Sequence, residues 1–159
     1  MKRGFTIIEL LTVIAMIGVV TALAVPFLST DLSKNDAKNY AAEISDALRE
    51  AQSSVMSGKD NARFGVHFEG TKFVLFQGAA YAPADPANVV HSFTPRVTVT
   101  AVALSPGGAC TLPDGTGNCD VHFASHKGVP TESGTVTLTS DGGEVKTVTI
   151  NAVGMIDVN

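Results

Sequence analysis

Residues 10–30 contain no charged side chain, and residues 5–28 are apolar apart from Thr6, Glu9, Thr12, Gly18 and Thr21. Such a run is not an ordinary amphipathic surface helix, because a helix apolar on every side has to be covered by protein or lipid. Its twenty-four residues would reach about 36 Å as a helix, against a hydrocarbon thickness of about 30 Å. Lys2 and Arg3 precede the run and Asp31 is the first charge after it. That asymmetry places the N-terminus in the cytoplasm and exports the rest.

A secretory signal peptide also begins with basic residues and an apolar core of about 7–15 residues. Here the run is longer, no convincing A-x-A site closes it, and Glu9 stands near its start, where a signal peptide has no use for a carboxylate. A plain single-pass anchor accounts for the hydropathy but gives Glu9 no role. A carboxylate at the centre of a span costs on the order of 2.5–3.5 kcal/mol, and by default it marks a function. The bland alternative is that Glu9 caps its own helix dipole, an interaction of about 0.3–1 kcal/mol.

The order Lys2-Arg3-Gly4-Phe5-Thr6-Ile7-Ile8-Glu9-Leu10-Leu11 resembles the class III signal of type IV prepilins: a basic leader, a glycine, an aromatic residue, then a glutamate soon after. The resemblance implies that a prepilin peptidase/methyltransferase cuts after Gly4 and methylates the new amine of Phe5. This chain would be its substrate and not an enzyme. It also implies that Glu9 directs assembly, and that an inner-membrane assembly platform handles the chain. A small residue before the cut suits an extended backbone entering a protease cleft. Pro26 removes a helical hydrogen bond and crowds the preceding turn, so a kink or local melting is expected between Gly18 and Pro26. Similar filament proteins unwind there when assembled.

From 31 to 56, Ala37, Tyr40, Ile44, Leu48, Ala51 and Val55 recur at spacings of three and four among charged residues, which predicts an amphipathic helix. Gly58 stands where a helix ends. Joined to the apolar run, this makes a helix of up to about 80 Å. Beyond it, short alternating runs rich in Thr and Val between Gly, Pro, Asp and Asn predict antiparallel strands over 63–68, 72–77, 97–104, 121–124, 135–139, 145–150 and 155–158, with 79–88 as loop.

Val121-His122-Phe123, Gly128, Gly134-Thr135-Val136-Thr137-Leu138, Val148-Thr149-Ile150 and Gly154-Met155-Ile156 resemble the head of the GspH/FimT group of minor pilins and pseudopilins. The fold implied is α+β and pilin-like, a long N-terminal helix with a transmembrane half and an amphipathic half packed on an antiparallel β-sheet head. The expected divisions are 1–4 leader, 5–28 transmembrane and filament-core helix, 29–58 its amphipathic continuation, and 59–159 the β-rich head.

Cys110 and Cys119, the two cysteines, lie in a Gly/Pro-rich stretch of the exported part, and a disulfide between them is expected. Closing that loop would stabilise the head by about 2.7 kcal/mol on the chain-entropy estimate. His122 and His126 read as surface histidines rather than metal ligands. Asp114, Asn118 and Asp120 are rich in oxygen but lack the twelve-residue cation-loop pattern. No nucleophile–base spacing or phosphate loop stands out, so neither catalysis nor a cofactor or metal is expected.

Cleavage after Gly4 would leave 9 basic against 15 acidic residues, a formal −6, which disfavours nucleic acid as a partner. The expected function is a structural minor pilin or pseudopilin subunit of a type IV pilus or type II secretion filament. Its partners would be other pilin subunits, and it would sit first in the inner membrane and then in a periplasmic or cell-surface filament. Alternatives are a pilus-tip receptor for DNA uptake and a major pilin. Some FimT-like proteins carry basic residues after the final glycine. The tail Gly154–Asn159 has no Lys or Arg, and Arg63, Lys72, Arg96, Lys127 and Lys146 are scattered along the head.

Overall fold

The computed structural model describes residues 5–123 and 127–159, with residues 23–31 described by backbone alone. Gly4 and His126 lie outside the described residues. Helix α1 spans Ile7–Met56 and is assigned without a break through Gly18 and Pro26. It ends as Gly58 was expected to end it: Ser57 is the C-cap, and Gly58 turns left-handed at φ 69° with its N–H on the Val55 carbonyl. Among the described residues no helix is long and apolar enough to cross a membrane. The side chains that would complete the apolar run, from Leu23 onward, are not described.

The helix packs through Ala37, Ala41, Ile44, Leu48, Ala51 and Val55, each 3% exposed or less. The spacing is the amphipathic stripe read from the sequence, with Ala41 filling the place given to Tyr40. Four of these and Ala47 are either alanine or small enough to let the helix axis come close to the strands. Tyr40 sits at the margin, where its hydroxyl accepts from the Thr94 N–H at 3.0 Å.

Among the described residues ten strands follow, and eight of them form two four-stranded antiparallel sheets instead of the single sheet expected. The first comprises β1 (Phe64–Phe68), β2 (Lys72–Gln77), β3 (Val89–Ser92) and β7 (Asp120–Phe123), in the order β3-β2-β1-β7. The second comprises β4 (Val97–Ser105), β8 (Ser133–Ser140), β9 (Val145–Ile150) and β10 (Ile156–Val158), in the order β10-β9-β8-β4. A hairpin of two-residue strands, β5 (Cys110–Thr111) and β6 (Thr116–Gly117), stands apart. Both sheets and the helix contribute to one core, with Phe64, Val66, Phe68, Phe73 and Leu75 from the first sheet and Val97, Val136, Leu138, Val148 and Ile150 from the second.

All seven expected strands sit within two residues of their read limits, and β3 and the hairpin were not foreseen. β4 carries a bulge between Val99 and Ala101. It resets the inward phase from Val97 and Val99, both buried, to Val102 and Leu104. One extra residue thus keeps a nine-residue strand on the core through its bend.

Candidate functional site

The exposed half of α1 is the largest unusual surface. Every described side chain from Phe5 to Ala22 is exposed, Ile7 at 81% and Val20 at 66%. Thr6 is the N-cap in extended conformation, and its hydroxyl accepts from the Glu9 N–H at 3.3 Å. The Thr6-x-x-Glu9 spacing is that of a capping box, a signal the sequence reading passed over. Glu9 therefore sits in the first turn, where its charge faces the positive helix end. The hydroxyls of Thr12 and Thr21 fold back on the carbonyls of Glu9 and Ile17 at 2.9 Å each, so neither presents a free polar group to an apolar neighbour. A Cβ on Gly18 would meet no atom within 4 Å, and nothing among the described residues requires glycine there. Of the other residues read as functional, Phe5 is exposed beside the cap, and Pro26 lies in the part of α1 described by backbone alone.

The head carries a second concentration of chemistry on the face of the first sheet turned away from α1. β1 alternates Phe64, Val66 and Phe68 toward the helix, leaving Gly65 and His67 on the other face beside Val74 and Phe76 of β2 and Asp120 and His122 of β7. That face is also covered, which is why β1 is buried at every position. Tyr81 stacks on the His67 ring at 3.9 Å, and Phe76 meets His122 edge-on at 5.4 Å. His67 Nδ1 lies 2.5 Å from Asp120 Oδ1, and its Nε2 is 3.8 Å from Glu69. His122 Nδ1 lies 3.1 Å from Glu132, whose same oxygen also accepts from the His122 N–H and the Thr131 hydroxyl. Lys72 reaches Glu69 at 3.2 Å. Buried charges are tolerated when paired in this way. His122 is accordingly a largely buried member of a network, correcting its reading as a plain surface histidine.

Burial, then the negative charge of Glu69, hold the Tyr81 phenol above its ordinary value of 10.0. Sequence spacing does not reveal this network, because its members come from β1, β2, β7, the β1–β2 turn, the segment between β2 and β3 and the residues ahead of β8.

Cys110 and Cys119 are joined, with Cα atoms 4.9 Å apart, as expected. The bridge closes the β5–β6 hairpin, which docks on the β1–β2 turn: the Gly70 N–H donates to the Pro113 carbonyl at 2.8 Å, and the Phe68 N–H to the Cys119 carbonyl at 3.0 Å. Gly115, at φ +69°, lies against His67 and Glu69, where a Cβ would strike both side chains. Asp120, one of the three oxygen residues noted in the sequence, is taken by His67. Among the described residues no group of three His, Cys, Asp or Glu is spaced to hold a metal. Three of the head cations are also engaged, Lys72 with Glu69, Arg96 with Asp36 at 3.8 Å and Lys146 with Glu144 at 3.6 Å.

No family model matches the chain, and no solved structure matches it. It is similar to a protein named fimbrial protein from Pseudomonas aeruginosa, 24% identical over 143 residues that make up 90% of this chain and 70% of the relative. A second fimbrial protein from the same organism is 32% identical over 59 residues, 37% of this chain and 38% of that one. These similarities support a pilin-type chain at modest identity, in agreement with a helix packed on antiparallel sheets.

Proposed function

We propose that this chain is a structural subunit of a pilus-like filament, a minor pilin or pseudopilin of the GspH/FimT kind, cut after Gly4, methylated on Phe5, and held in the inner membrane before assembly. The observation that carries the proposal is the division of α1. Its second half is fixed in the core of the head, while every described residue of its first half is exposed and almost all are apolar. A surface of that kind is unstable in water and needs lipid or other helices around it. The similarity to two fimbrial proteins points to other helices as its final cover.

In this reading Glu9 has two roles in succession. In the lone subunit it sits in the first helical turn. In the filament it pairs with the Phe5 amine of a neighbour, so that neither charge is left unpaired among apolar side chains, and the pairing sets axial register. Intact-mass measurement of protein from its native membrane checks the processing: the expected chain begins at N-methyl-Phe5, and any other start sinks that part. Glu9→Val tests the assembly role. It is expected to insert in the membrane and to be lost from sheared filaments. Wild-type recovery of Glu9→Val would leave Glu9 as a helix cap alone.

A further inference from the structure

Each four-stranded sheet has two edge strands, and three of these edges have outward backbone groups already bonded. On β7 the His122 N–H donates to Glu132 at 2.9 Å, and the His122 carbonyl accepts from the Thr131 N–H at 2.8 Å. On β4 the Val97 and Val99 N–H groups donate to the Thr94 and Gly70 carbonyls at 3.1 and 2.9 Å. On β10 the Ile156 carbonyl accepts from Arg49 at 3.4 Å, and the Val158 N–H donates to the Asp157 carboxylate at 3.0 Å. The edge at β3 is different. The Phe93 N–H donates inward to the Thr71 carbonyl at 2.9 Å, and Val89 and His91 stand opposite Leu75 and Phe73. Bonded sides alternate along an antiparallel strand, so Val90 and Ser92 turn their N–H and C=O groups outward, where no described residue bonds them. The strand also lacks the lysine, proline or bulge that commonly blunts an edge, and Val89 and Val90 are 50% and 54% exposed.

We infer that the β3 edge receives an extended segment of a different protein, added to the sheet as a further strand with basic side chains on its α1 side. Unpaired N–H and C=O groups in strand register are complemented by another extended backbone, and side chains at alternate positions then set specificity. The charge comes from α1, which follows β3 from Asp36, 3.8 Å from Arg96, past Glu43, 2.6 Å from His91 Nδ1. Farther along, Glu50 makes no ion pair with a described residue and lines a cleft of about 90 Å³ with Ser54, Leu75, Gln77 and Val89. Lys59, also at the cleft, sits over the Phe64 ring at 5.6 Å. A lysine or arginine of the added strand can lay its stem along Leu75 and Val89 and its charge against Glu50. The same carboxylates disfavour a second β3 as the occupant. Antiparallel pairing of two copies would put both helices on one side of the joined sheet, with like charges turned toward each other. The contact is separate from the helix packing of the filament reading and stands without it.

The test adds a short peptide of alternating valine and lysine, or its valine–glutamate counterpart, to the full chain in detergent micelles and follows amide exchange residue by residue. The valine–lysine peptide is expected to slow exchange severalfold at Val90 and Ser92, to leave His122 and Val158 unchanged, and to bind severalfold more tightly than the valine–glutamate peptide. Val90→Pro removes an outward N–H and none of the bonds to β2, and is expected to abolish the protection at Ser92. Glu50→Lys is expected to reverse the preference between the peptides. No slowing at Ser92, equal binding of the two peptides, or slowing that survives Val90→Pro overturns the inference. Slowing that rises with protein concentration in the absence of peptide also overturns it, because two copies would then be pairing. If Val90→Pro loses the protease resistance of the head, the peptide preference and its reversal by Glu50→Lys decide.

Discussion

At the scale of single residues, Gly65 and Tyr81 show what strand pairing does that sequence spacing does not display. Gly65 leaves room for the Phe76 ring beside β7: a Cβ there would stand 2.7 Å from the ring and 2.8 Å from the Val121 carbonyl. Gly65→Ala should destabilise the head by about 1–3 kcal/mol, the usual cost of overpacking, and a denaturant titration would measure it. Tyr81 makes the pH argument. Its phenol is held above 10.0, so the folded state grips that proton more tightly than the unfolded chain. This contribution is whole below pH 10.0 and is lost as pH climbs through the folded value. In a Tyr40→Phe background, Glu69→Gln should move the ultraviolet titration of Tyr81 down toward 10.0, with burial keeping part of the shift. An unmoved titration would remove Glu69 as a cause. Neither residue is marked in the sequence, since each depends on partners brought to it by tertiary folding, whereas Gly58 and the cysteine pair act through local geometry and were readable.

At the scale of elements, legibility followed periodicity. The helix stripe and the long strands announce themselves by repeating apolar positions, and the turns at Glu69-Gly70 and Asp141-Gly142-Gly143 separate them. The division into two sheets was not readable, because alternation says which side chains share a face but not which strands pair. β3 has four residues, of which only His91 is partly buried and the others are exposed, and so had no alternation to show. The phase change in β4, Val97 and Val99 against Val102 and Leu104, was visible in principle as a bulge. The hairpin of two-residue strands depends on its covalent closure, and this yields a prediction. Replacing Cys110 and Cys119 together with serine should cost about 2.7 kcal/mol if the reduced loop becomes fully free. Amide exchange should then rise first at Gly70 and Phe68, whose N–H groups donate to the hairpin and its closing residue. Faster exchange spread evenly over both sheets would show that the bridge stabilises the whole head and does not seat the hairpin.

For the molecule as a whole, the shared core fixes how the two halves of α1 relate. The buried stripe from Ala37 to Val55 touches both sheets, so the head cannot swing about the end of the helix without breaking that core. This has a mechanical meaning if the exposed half is anchored among other subunits. Tension along the chain axis would load the stripe in shear, with its contacts strained side by side, and would not peel them apart in turn. Single-molecule stretching between the helix start and the head should therefore give one high-force rupture. Leu48→Ala, which empties a fully buried mid-stripe position at a cost of about 2–5 kcal/mol, should lower that force without dividing the event. A sawtooth of small releases would mean that the helix unzips. A subunit built as the structure shows resists being pulled out lengthwise far better than it resists being pried away sideways.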